Sequence, residues 1–263
     1  MTDNLEDYAL PLPSDGSLLS PSQSHHKPMH TSAMDFGRRF FETYADSRPS
    51  LRIIDIGAQD VNGSLRSVAP ADAEYVGVDF VAGKGVDVVI SDPYALPFPD
   101  ESADLMVCSS CMEHSEFFWL LFNEMIRVLK PDGVLYVNAP SNGAFHRYPV
   151  DCWRFYPDSG IALRNWSRRS GYRTELLESF TGPQVAPETW NDFVGVFIKD
   201  GTFAERYPLR ILDDYPEHTN GLRLGEESFS HLTALPEDQR KLPGPPVSLR
   251  KRIKNWLLRR RAR

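Results

Sequence analysis

The fold is decided by the stretch LRIIDIGAQD at residues 51–60. Its apolar run from Ile53 to Ile56 ends at Gly57, a pattern typical of a buried parallel strand followed by a tight turn. The same pattern returns in YVGVDF at residues 75–80. Because consecutive parallel strands need a crossover between them, the pair predicts the beginning of a parallel sheet.

Five further segments have the apolar character of buried strands. They are VDVVI at 86–90, ADLMVCSS at 103–110, GVLYVNAP at 133–140, YRTELLESF at 172–180 and NDFVGVFIKD at 191–200. Helical periodicity is found at 32–46, 117–130 and 158–170. Strands that alternate with helices predict an α/β fold with a doubly wound, Rossmann-like, seven-stranded sheet. The sheet is mostly parallel, but its last two strands are too close in sequence for a crossover helix, so the last strand is antiparallel.

Four regions are expected along the chain. Residues 1–30 are rich in Pro, Ser and His and are predicted to be disordered, whereas residues 31–200 hold the α/β domain. Residues 201–246 carry Pro, Gly and charge without a sustained period, and we expect an irregular appendage there. Residues 247–263 are predicted to form a basic amphipathic helix.

The composition of the 263-residue chain is that of a globular protein, with 41% apolar and 25% charged residues. Its three cysteines cannot all pair, which indicates a reduced, intracellular protein. No apolar run is long enough to cross a bilayer, and the acidic, Pro-rich N-terminus lacks the basic and apolar regions of a secretory signal. We therefore expect a cytoplasmic protein.

The net charge of −7 hides an uneven distribution. Residues 249–263 contain eight Lys or Arg and no acidic residue, so the remainder of the chain is more acidic than the total. An acidic body argues against nucleic acid as a partner. The basic tail fits an anionic membrane surface, with Trp256 at the level of the headgroups, and would place the protein peripherally at the inner membrane face. Docking on an acidic protein surface, contact with RNA and a solvated end are the alternatives.

Acidic residues and a glycine stand at the carboxyl ends of the first predicted strands, where open α/β sheets bind their ligands. The first strand ends in Asp55 and Gly57. The second ends in Asp79, an acid suited to accept hydrogen bonds from two ribose hydroxyls. Asp92 follows the third strand, and the polar segment 108–114 follows the fourth. Together these ends predict a nucleotide site.

The same residues belong to a series of motifs that resembles class I S-adenosylmethionine-dependent methyltransferases. The motifs are DIGAQD at 55–60, VGVDF at 76–80, SDPYALPFPDESADLMVCSSCMEH at 91–114 and RVLKPDGVLYVNAPS at 127–141. The resemblance implies S-adenosylmethionine as the cofactor and a last strand inserted antiparallel. It also implies the following roles: Gly57 and Asp55 at the amino-acid end of the cofactor, Asp79 on the ribose, Asp92 and Tyr94 at the adenine, and Cys108 and Ser109 under the amino-acid moiety.

One residue departs from the family pattern. Gln59 stands where the first loop usually carries a second glycine, although the acids do not depend on that position. A nicotinamide dehydrogenase is disfavoured, because the three-glycine phosphate loop is absent and Asp55 would repel a pyrophosphate. Two alternatives stay open: a methyltransferase of another small-molecule or lipid acceptor, and a non-catalytic scaffold that has lost the cofactor.

The segment after the fifth strand, SNGAFHRYPVDCWRFYPDSG at 141–160, is dense in polar and aromatic side chains, which predicts a substrate loop. Its spelling H-R-Y-P-x-D-x-W-R-x-Y-P is similar to methyltransferases of polysaccharide and glycolipid biosynthesis. That resemblance implies O-methylation of a sugar hydroxyl. Tyr148, Trp153 and Tyr156 offer faces for sugar C–H groups. Arg154 can hold a substrate hydroxyl or an anionic group.

Methyl transfer to an alcohol needs help, because an alcohol is a poor nucleophile. A positioned base would accelerate the reaction by about 10²–10⁴-fold. His146 is the first candidate and His114 the second, and Asp151 can orient an imidazole. Structural roles stay open for all three: a hydrogen bond from His146 to a loop carbonyl, a helix cap formed by Glu113 and His114, and an ion pair between Asp151 and Arg154.

No metal site is predicted. Cys108 and Cys111 form a C-x-x-C pair, with His114 and Cys152 as further candidate ligands. The pair falls at a buried strand end, however, and the sequence has no second C-x-x-C. The histidines between residues 25 and 30 lie in the segment predicted to be disordered.

Overall fold

The computed structural model describes residues 31–45, 50–61, 63–185 and 190–233. The N-terminal segment and the C-terminal helix that the sequence predicts both lie outside the described residues. Within these ranges, no helix is both long and apolar enough to cross a membrane.

The described part of the chain forms one sheet of eight strands. The strands are β1 (Arg52–Ile56), β2 (Glu74–Asp79), β3 (Val88–Val89), β4 (Ala103–Ser109), β5 (Leu129–Pro140), β6 (Glu175–Thr181), β7 (Asp192–Ile198) and β8 (Thr219–Arg223). The α-helices are α1 (Thr31–Tyr44), α2 (Phe118–Val128) and α3 (Ser159–Arg169). The strand order is β3-β2-β1-β4-β5-β7-β6-β8. The first five strands pair in parallel and β7 is antiparallel to both of its neighbours, which confirms the predicted Rossmann-like α/β sheet.

The sheet has one strand more than the seven predicted. The additional strand, β8, lies in the region predicted to be irregular and pairs antiparallel with β6, with Leu222 opposite Ser179. Its sequence TNGLR has a single large apolar side chain, Leu222, which is buried. The pairing with β6 therefore sets its conformation, because no local hydrophobic pattern does.

Two other boundaries differ from prediction. β3 is reduced to Val88–Val89. The helix predicted at 117–130 ends at Val128, and β5 begins at Leu129, four residues earlier than predicted, so Pro131 and Gly133 lie in the sheet. The carbonyl of Gly133 accepts a hydrogen bond from Lys199 N at 3.2 Å, which extends the pairing of β5 beyond the end of β7.

Successive side chains of β1 face opposite sides of the sheet, as in any strand. Ile53 joins a core covered by α1, where Phe40 lies 4.9 Å from Tyr136 between ring centroids. Ile54 joins the opposite core, which includes the fully buried Phe122 of α2. The helices thus cover both faces of the sheet and leave the carboxyl ends of the parallel strands for the loops described next.

Candidate active site

The loop after β1 depends on Gly57. Its φ of 82° is one that residues with a side chain rarely adopt, and a Cβ there would lie 2.7 Å from the Cβ of Cys111. The N–H groups of Gly57 and Ala58 both donate to the carbonyl of Val78, at 2.9 and 3.1 Å. The loop is thereby held against the end of β2 and against the segment that follows β4.

Asp55 of β1 is buried, and the side chain that donates a hydrogen bond to it is uncharged. Tyr75 Oη donates to its Oδ2 at 2.7 Å. Burial raises the pKa of Asp55 to about 6, and the hydrogen bond from Tyr75 and the charge of Arg66 offset only part of that effect. A cation brought beside Asp55 would therefore favour its ionised form.

Asp79 at the end of β2 joins the backbones of two loops. Its Oδ2 accepts a hydrogen bond from the N–H of Gln59, in the loop after β1, at 3.2 Å. Its Oδ1 accepts from the N–H groups of Phe80 and Val81, at 2.7 and 3.3 Å. A carboxylate has about four lone-pair sites, so Asp79 keeps capacity to accept hydroxyl groups.

Gln59, the departure from the family pattern, links two parts of the site. Its Oε1 accepts a hydrogen bond from Tyr148 Oη at 3.3 Å, so the loop after β1 contacts the loop after β5. Its Nε2 lies close to Gly83, where a Cβ would come within 2.9 Å of it. The side chain that replaces glycine is therefore accommodated between neighbouring loops.

Asp92 and Tyr94 lie on the segment after β3. Asp92 is exposed, and its Oδ1 accepts from the N–H of Tyr94 at 2.8 Å, in a turn typical of aspartate. Tyr94 Oη accepts from the N–H of Phe117 at 3.1 Å and lies 3.4 Å from Ser115 Oγ. Tyr94 thus links the segment after β3 to the segment after β4.

Cys108 and Ser109 end β4 in the sheet interior. The pKa of Cys108 is raised well above its usual value, first by a hydrogen bond with Cys111 and then by burial, so the thiol stays protonated. Ser109 Oγ donates to Asn138 Oδ1 of β5 at 3.2 Å.

His114 follows β4 in the short 3₁₀ helix Met112–His114. Its Nδ1 donates a hydrogen bond to the carbonyl of Val150 in the loop after β5, which leaves the lone pair of the neutral ring on Nε2. Burial lowers the pKa of His114 below its usual value. The ring is therefore neutral at pH 7 and has a free acceptor nitrogen.

Asp151 organises the loop after β5. Its side chain is only 1% exposed, and Arg154 donates to both of its oxygens, at 2.5 and 2.9 Å. The Arg154 guanidinium holds the pKa of Asp151 well below its usual range. Asp151 Oδ2 also accepts from the backbone N–H of His146 at 2.6 Å, whereas the His146 Nδ1 donates to the carbonyl of Ala144 at 3.0 Å. Asp151 thus positions His146 through the backbone.

The two predicted histidines lie beside each other. The rings of His114 and His146 are edge to face, with centroids 5.1 Å apart, and Tyr148 lies 6.5 Å from His114. His146 also stacks on Trp190, with centroids 6.2 Å apart and 16° between the planes. Sequence reasoning missed Trp190, since a single tryptophan in the loop before β7 belongs to no motif.

The predicted acceptor-facing side chains differ in their surroundings. Trp153 Nε1 donates to the carbonyl of Ser115 at 2.9 Å, which holds the ring against the segment after β4. Tyr148 and Tyr156 are exposed. Arg154 binds two loop carbonyls in addition to Asp151, so its bonds serve mainly the conformation of the loop.

Glu113 is the residue whose chemistry the sequence analysis did not foresee. Its side chain is 1% exposed, its Oε1 lies 3.7 Å from His114 Nε2, and its Oε2 has no hydrogen-bond partner within the described residues. Burial raises the pKa of Glu113 to about 8. One ligand atom from each of Glu113, His114 and His146 lies within 4.8 Å of the other two. An acid after a strand resembles a helix cap in sequence, so only the fold reveals its burial.

Comparison with known proteins finds methyltransferases. Residues 54–137 match the sequence model of a family described as "Methyltransferase domain". The uncharacterized methyltransferase YcgJ of Bacillus subtilis is 33% identical over 103 residues, which cover 34% of this chain and 40% of that protein. The uncharacterized methyltransferase MLBr02584 of Mycobacterium leprae is 28% identical over 121 residues, covering 46% and 41%.

Among solved structures, that of B. subtilis YcgJ is 14% identical and has a TM-score of 0.47, with 65% of this chain and 99% of that chain covered. The chain spans less than half the length of the curated relatives that it matches. The matched segment contains the loops after β1, β2, β3 and β4, including Gly57, Asp79 and Glu113. Residues 54–137 thus carry the sequence pattern of a methyltransferase domain.

Proposed function

We propose that this chain is an S-adenosylmethionine-dependent O-methyltransferase that acts on a sugar hydroxyl of a saccharide or glycolipid. The matched methyltransferase domain supports the reaction class. One observation carries the proposal: the loop after β1 and the loop after β5 are joined by the hydrogen bond between Gln59 and Tyr148. His114 and His146 lie beside this junction, so proton-accepting groups adjoin the proposed cofactor site.

The donor set at the ends of β1 and β2 fits S-adenosylmethionine. Asp55 offers a buried carboxyl that an ammonium group would neutralise, and Asp79 offers carboxylate oxygens to a ribose diol. Phe80 is 52% exposed directly after Asp79 and offers an apolar face to the adenine ring, while Asp92 offers an acceptor to its amine. When bound, the cofactor supplies a methyl group activated by a positively charged sulfur.

The protein must also receive a proton. His114 is the better placed of the two histidines, because its side chain is 13% exposed whereas that of His146 is 44% exposed. A base shielded from water keeps its proton-accepting nitrogen free for the substrate. The structure thus favours His114 over the first choice made from sequence, with His146 as its neighbour at the rim.

In the proposed reaction, the protein positions the acceptor and removes the proton of its hydroxyl group. The loop after β5 would position the acceptor hydroxyl beside the cofactor site, and such positioning lowers the entropic cost of the reaction. The acceptor oxygen keeps the electron pair of its O–H bond and forms the O–CH₃ bond, while the pair of the broken C–S bond stays on sulfur. His114 Nε2 receives the hydroxyl proton and afterwards releases it to water.

The acceptor class is proposed from exposed aromatic side chains on a single loop. Phe145, Tyr148, Trp153 and Tyr156 are 75%, 57%, 36% and 47% exposed. So many large rings in twelve residues are unusual for a solvated surface and indicate a binding surface. Flat apolar faces beside hydrogen-bonding groups suit a sugar, which presents C–H groups on its faces and hydroxyls at its edges.

We also propose, from sequence alone, that the basic residues of 249–263 bring the enzyme to an anionic membrane carrying a lipid-linked acceptor. Deleting 248–263 is expected to reduce retention on vesicles containing phosphatidylserine, most strongly at low salt. Cofactor affinity of the shortened chain should not change. Equal retention with and without the tail would reject this partner.

The acceptor is tested with methyl-labelled S-adenosylmethionine and a panel of saccharides, quinols and carboxylates. We expect label in a sugar O-methyl group for the wild-type chain and little label for His114→Ala. Label confined to a quinol or a carboxylate would reject the saccharide acceptor. A folded wild-type chain that neither transfers label nor binds the cofactor would favour the non-catalytic scaffold.

A further inference from the structure

We propose that Glu113, His114 and His146 bind a divalent transition-metal ion, best matched by zinc, at the acceptor end of the site. The proposed role of the ion rests on the methyltransferase function above, whereas its binding does not. This ligand set differs from the C-x-x-C set considered in the sequence, and it revises the expectation that the chain has no metal site.

The three ligands are of the right kind and close enough. Two imidazoles and one carboxylate form a donor set of catalytic zinc sites, which leave a fourth position open. In a tetrahedral site with bonds of about 2.0–2.1 Å, ligand atoms lie about 3.4 Å apart. Glu113 Oε1 and His114 Nε2 are 3.7 Å apart, and one ligand atom of each residue lies within 4.8 Å of the other two. His146, on an exposed loop, can close the remaining gap by a small shift.

Both imidazoles are held in the tautomer that a metal ion needs. His114 Nδ1 donates to the carbonyl of Val150, and His146 Nδ1 donates to the carbonyl of Ala144 at 3.0 Å. In proteins, a histidine that binds metal through one nitrogen usually donates its other N–H to a carbonyl or a carboxylate. The two Nε2 lone pairs are therefore available without any change of tautomer.

The buried carboxylate of Glu113 gives the independent reason to expect a cation. Its Oε2 is buried with no hydrogen-bond partner in the described part of the chain, a rare state for a polar side-chain atom. Asp151, in the loop after β5, is already paired with Arg154. Among the ion pairs of the described residues, Glu113 has only His114, at 3.7 Å. A divalent ion would satisfy Glu113 and both imidazoles at once.

An ion in this place would change how the histidines act. The same Nε2 lone pair cannot both bind metal and receive a proton, so in the metal-loaded protein the imidazoles act through the ion. The open position would bind the acceptor hydroxyl and lower its pKa, so that the proton leaves to water and the electron pair stays on oxygen for attack on the methyl carbon. Without metal, His114 takes the proton directly and more slowly.

The test is a calorimetric titration of zinc chloride into the full chain after treatment with a chelator. The chain should carry His25→Ala, His26→Ala and His30→Ala, because these histidines offer competing nitrogens. We expect one zinc per chain. Glu113→Gln and His146→Ala should each weaken binding by more than the roughly 10- to 100-fold that loss of a ligand's hydrogen-bond partner costs.

Two controls make the result decisive. Cys111→Ser and His231→Ala should bind zinc like the parent chain, since the first removes a thiol and the second a distant imidazole. His146→Ala alters an exposed side chain, so its result does not depend on the folding of a core variant. Zinc bound equally by the parent, Glu113→Gln and His146→Ala would overturn the proposal, as would no binding by the parent.

The same samples separate this inference from the proposed function. Affinity for S-adenosylmethionine should be equal with and without zinc, because the cofactor is proposed to lie on the loops after β1 and β2. Removal of zinc should lower kcat at least tenfold, and added zinc should restore it. A chain that binds the cofactor and transfers methyl groups at an unchanged rate without zinc would overturn the inference and leave the methyltransferase function standing.

Discussion

Two regions of the site are built in different ways. The cofactor half, where we propose that the cofactor binds, comprises the loops at 55–60 and 77–87. The acceptor half, where we propose that the acceptor binds, comprises residues 113–118 and 141–158. In the cofactor half, backbone groups and glycines set the geometry: Gly77 has no room for a Cβ, which would lie 2.0 Å from the carbonyl oxygen of Gly85. In the acceptor half, side chains such as Arg154 and Trp153 hold the loop in place.

The difference teaches which parts of the site tolerate change. A glycine-lined loop packed against a sheet has a backbone conformation set by the neighbouring segments. Such a loop suits a cofactor, which stays the same when the acceptor differs. A loop held by side-chain hydrogen bonds and exposed rings can be rebuilt for another acceptor without moving the sheet. We therefore expect substitutions in the cofactor half to change cofactor affinity, and those in the acceptor half to change kcat or acceptor KM.

The largest effect is expected at His114. Replacement with alanine removes the imidazole that accepts the proton or holds the ion, so kcat should fall about 10²- to 10⁴-fold. Cofactor affinity should stay within a few-fold of wild type, since His114 lies in the acceptor half. His231→Ala, which removes an imidazole of the β8 region, is the matched control and should keep normal kcat. A kcat of His114→Ala within tenfold of wild type would contradict the proposed mechanism.

The next effect is expected at Asp79. Alanine in its place removes the acceptor for three backbone N–H groups and for the ribose, at a cost of about 1–3 kcal/mol. KM for S-adenosylmethionine should rise about 5- to 100-fold, while kcat at saturating cofactor changes little. The exposed Asp72→Ala is the control for loss of an acid. A fall in kcat at unchanged KM would contradict the assignment of Asp79 to the cofactor half.

A smaller effect is expected in the pH dependence of cofactor affinity, because Asp55 titrates. Burial raises its pKa to about 6 in the cofactor-free protein, and a bound ammonium group lowers it again, because the ionised form is favoured beside a cation. The complex therefore binds fewer protons than the free protein, so affinity falls as pH drops through 6. Between pH 7 and pH 5 the Kd of S-adenosylmethionine should rise about tenfold. Asp55→Asn should flatten this profile; an unchanged profile would remove Asp55 from the cofactor half.

The smallest effect tests the bond between the halves. Tyr148→Phe keeps the ring and removes the hydroxyl that donates to Gln59, a hydrogen bond worth about 0.5–1.5 kcal/mol. Acceptor KM should rise about 2- to 10-fold with cofactor affinity unchanged. Tyr156→Phe, which alters an exposed hydroxyl on the same loop, should show no such rise. Equal behaviour of the two variants would mean that the contact has no role in acceptor binding.

The cofactor half was largely predictable from the sequence, and the acceptor half was not. Asp55, Gly57 and Asp79 stand at fixed offsets from apolar strands, so the parallel sheet alone brings them together. The burial of Glu113 and the stacking of Trp190 on His146 depend on contacts between segments far apart in sequence. No local pattern encodes such contacts.

The strands of the sheet show the same limit of prediction from local sequence. Seven strands carry their own hydrophobic pattern and were predicted. β8 has one large apolar residue, Leu222, and is a strand because the edge of β6 offers it unpaired backbone groups. Propensity and periodicity describe a segment by itself, whereas pairing at an edge depends on what lies beside it.

The central claim is that S-adenosylmethionine binds in the cofactor half of this chain, independently of the acceptor half. Calorimetric titration of the cofactor into wild type, Asp79→Ala and His114→Ala tests this claim most directly. We predict one cofactor per chain with equal Kd for wild type and His114→Ala, and a Kd raised about 5- to 100-fold for Asp79→Ala. No binding by the folded wild-type chain, or equal weakening in both variants, would contradict the account.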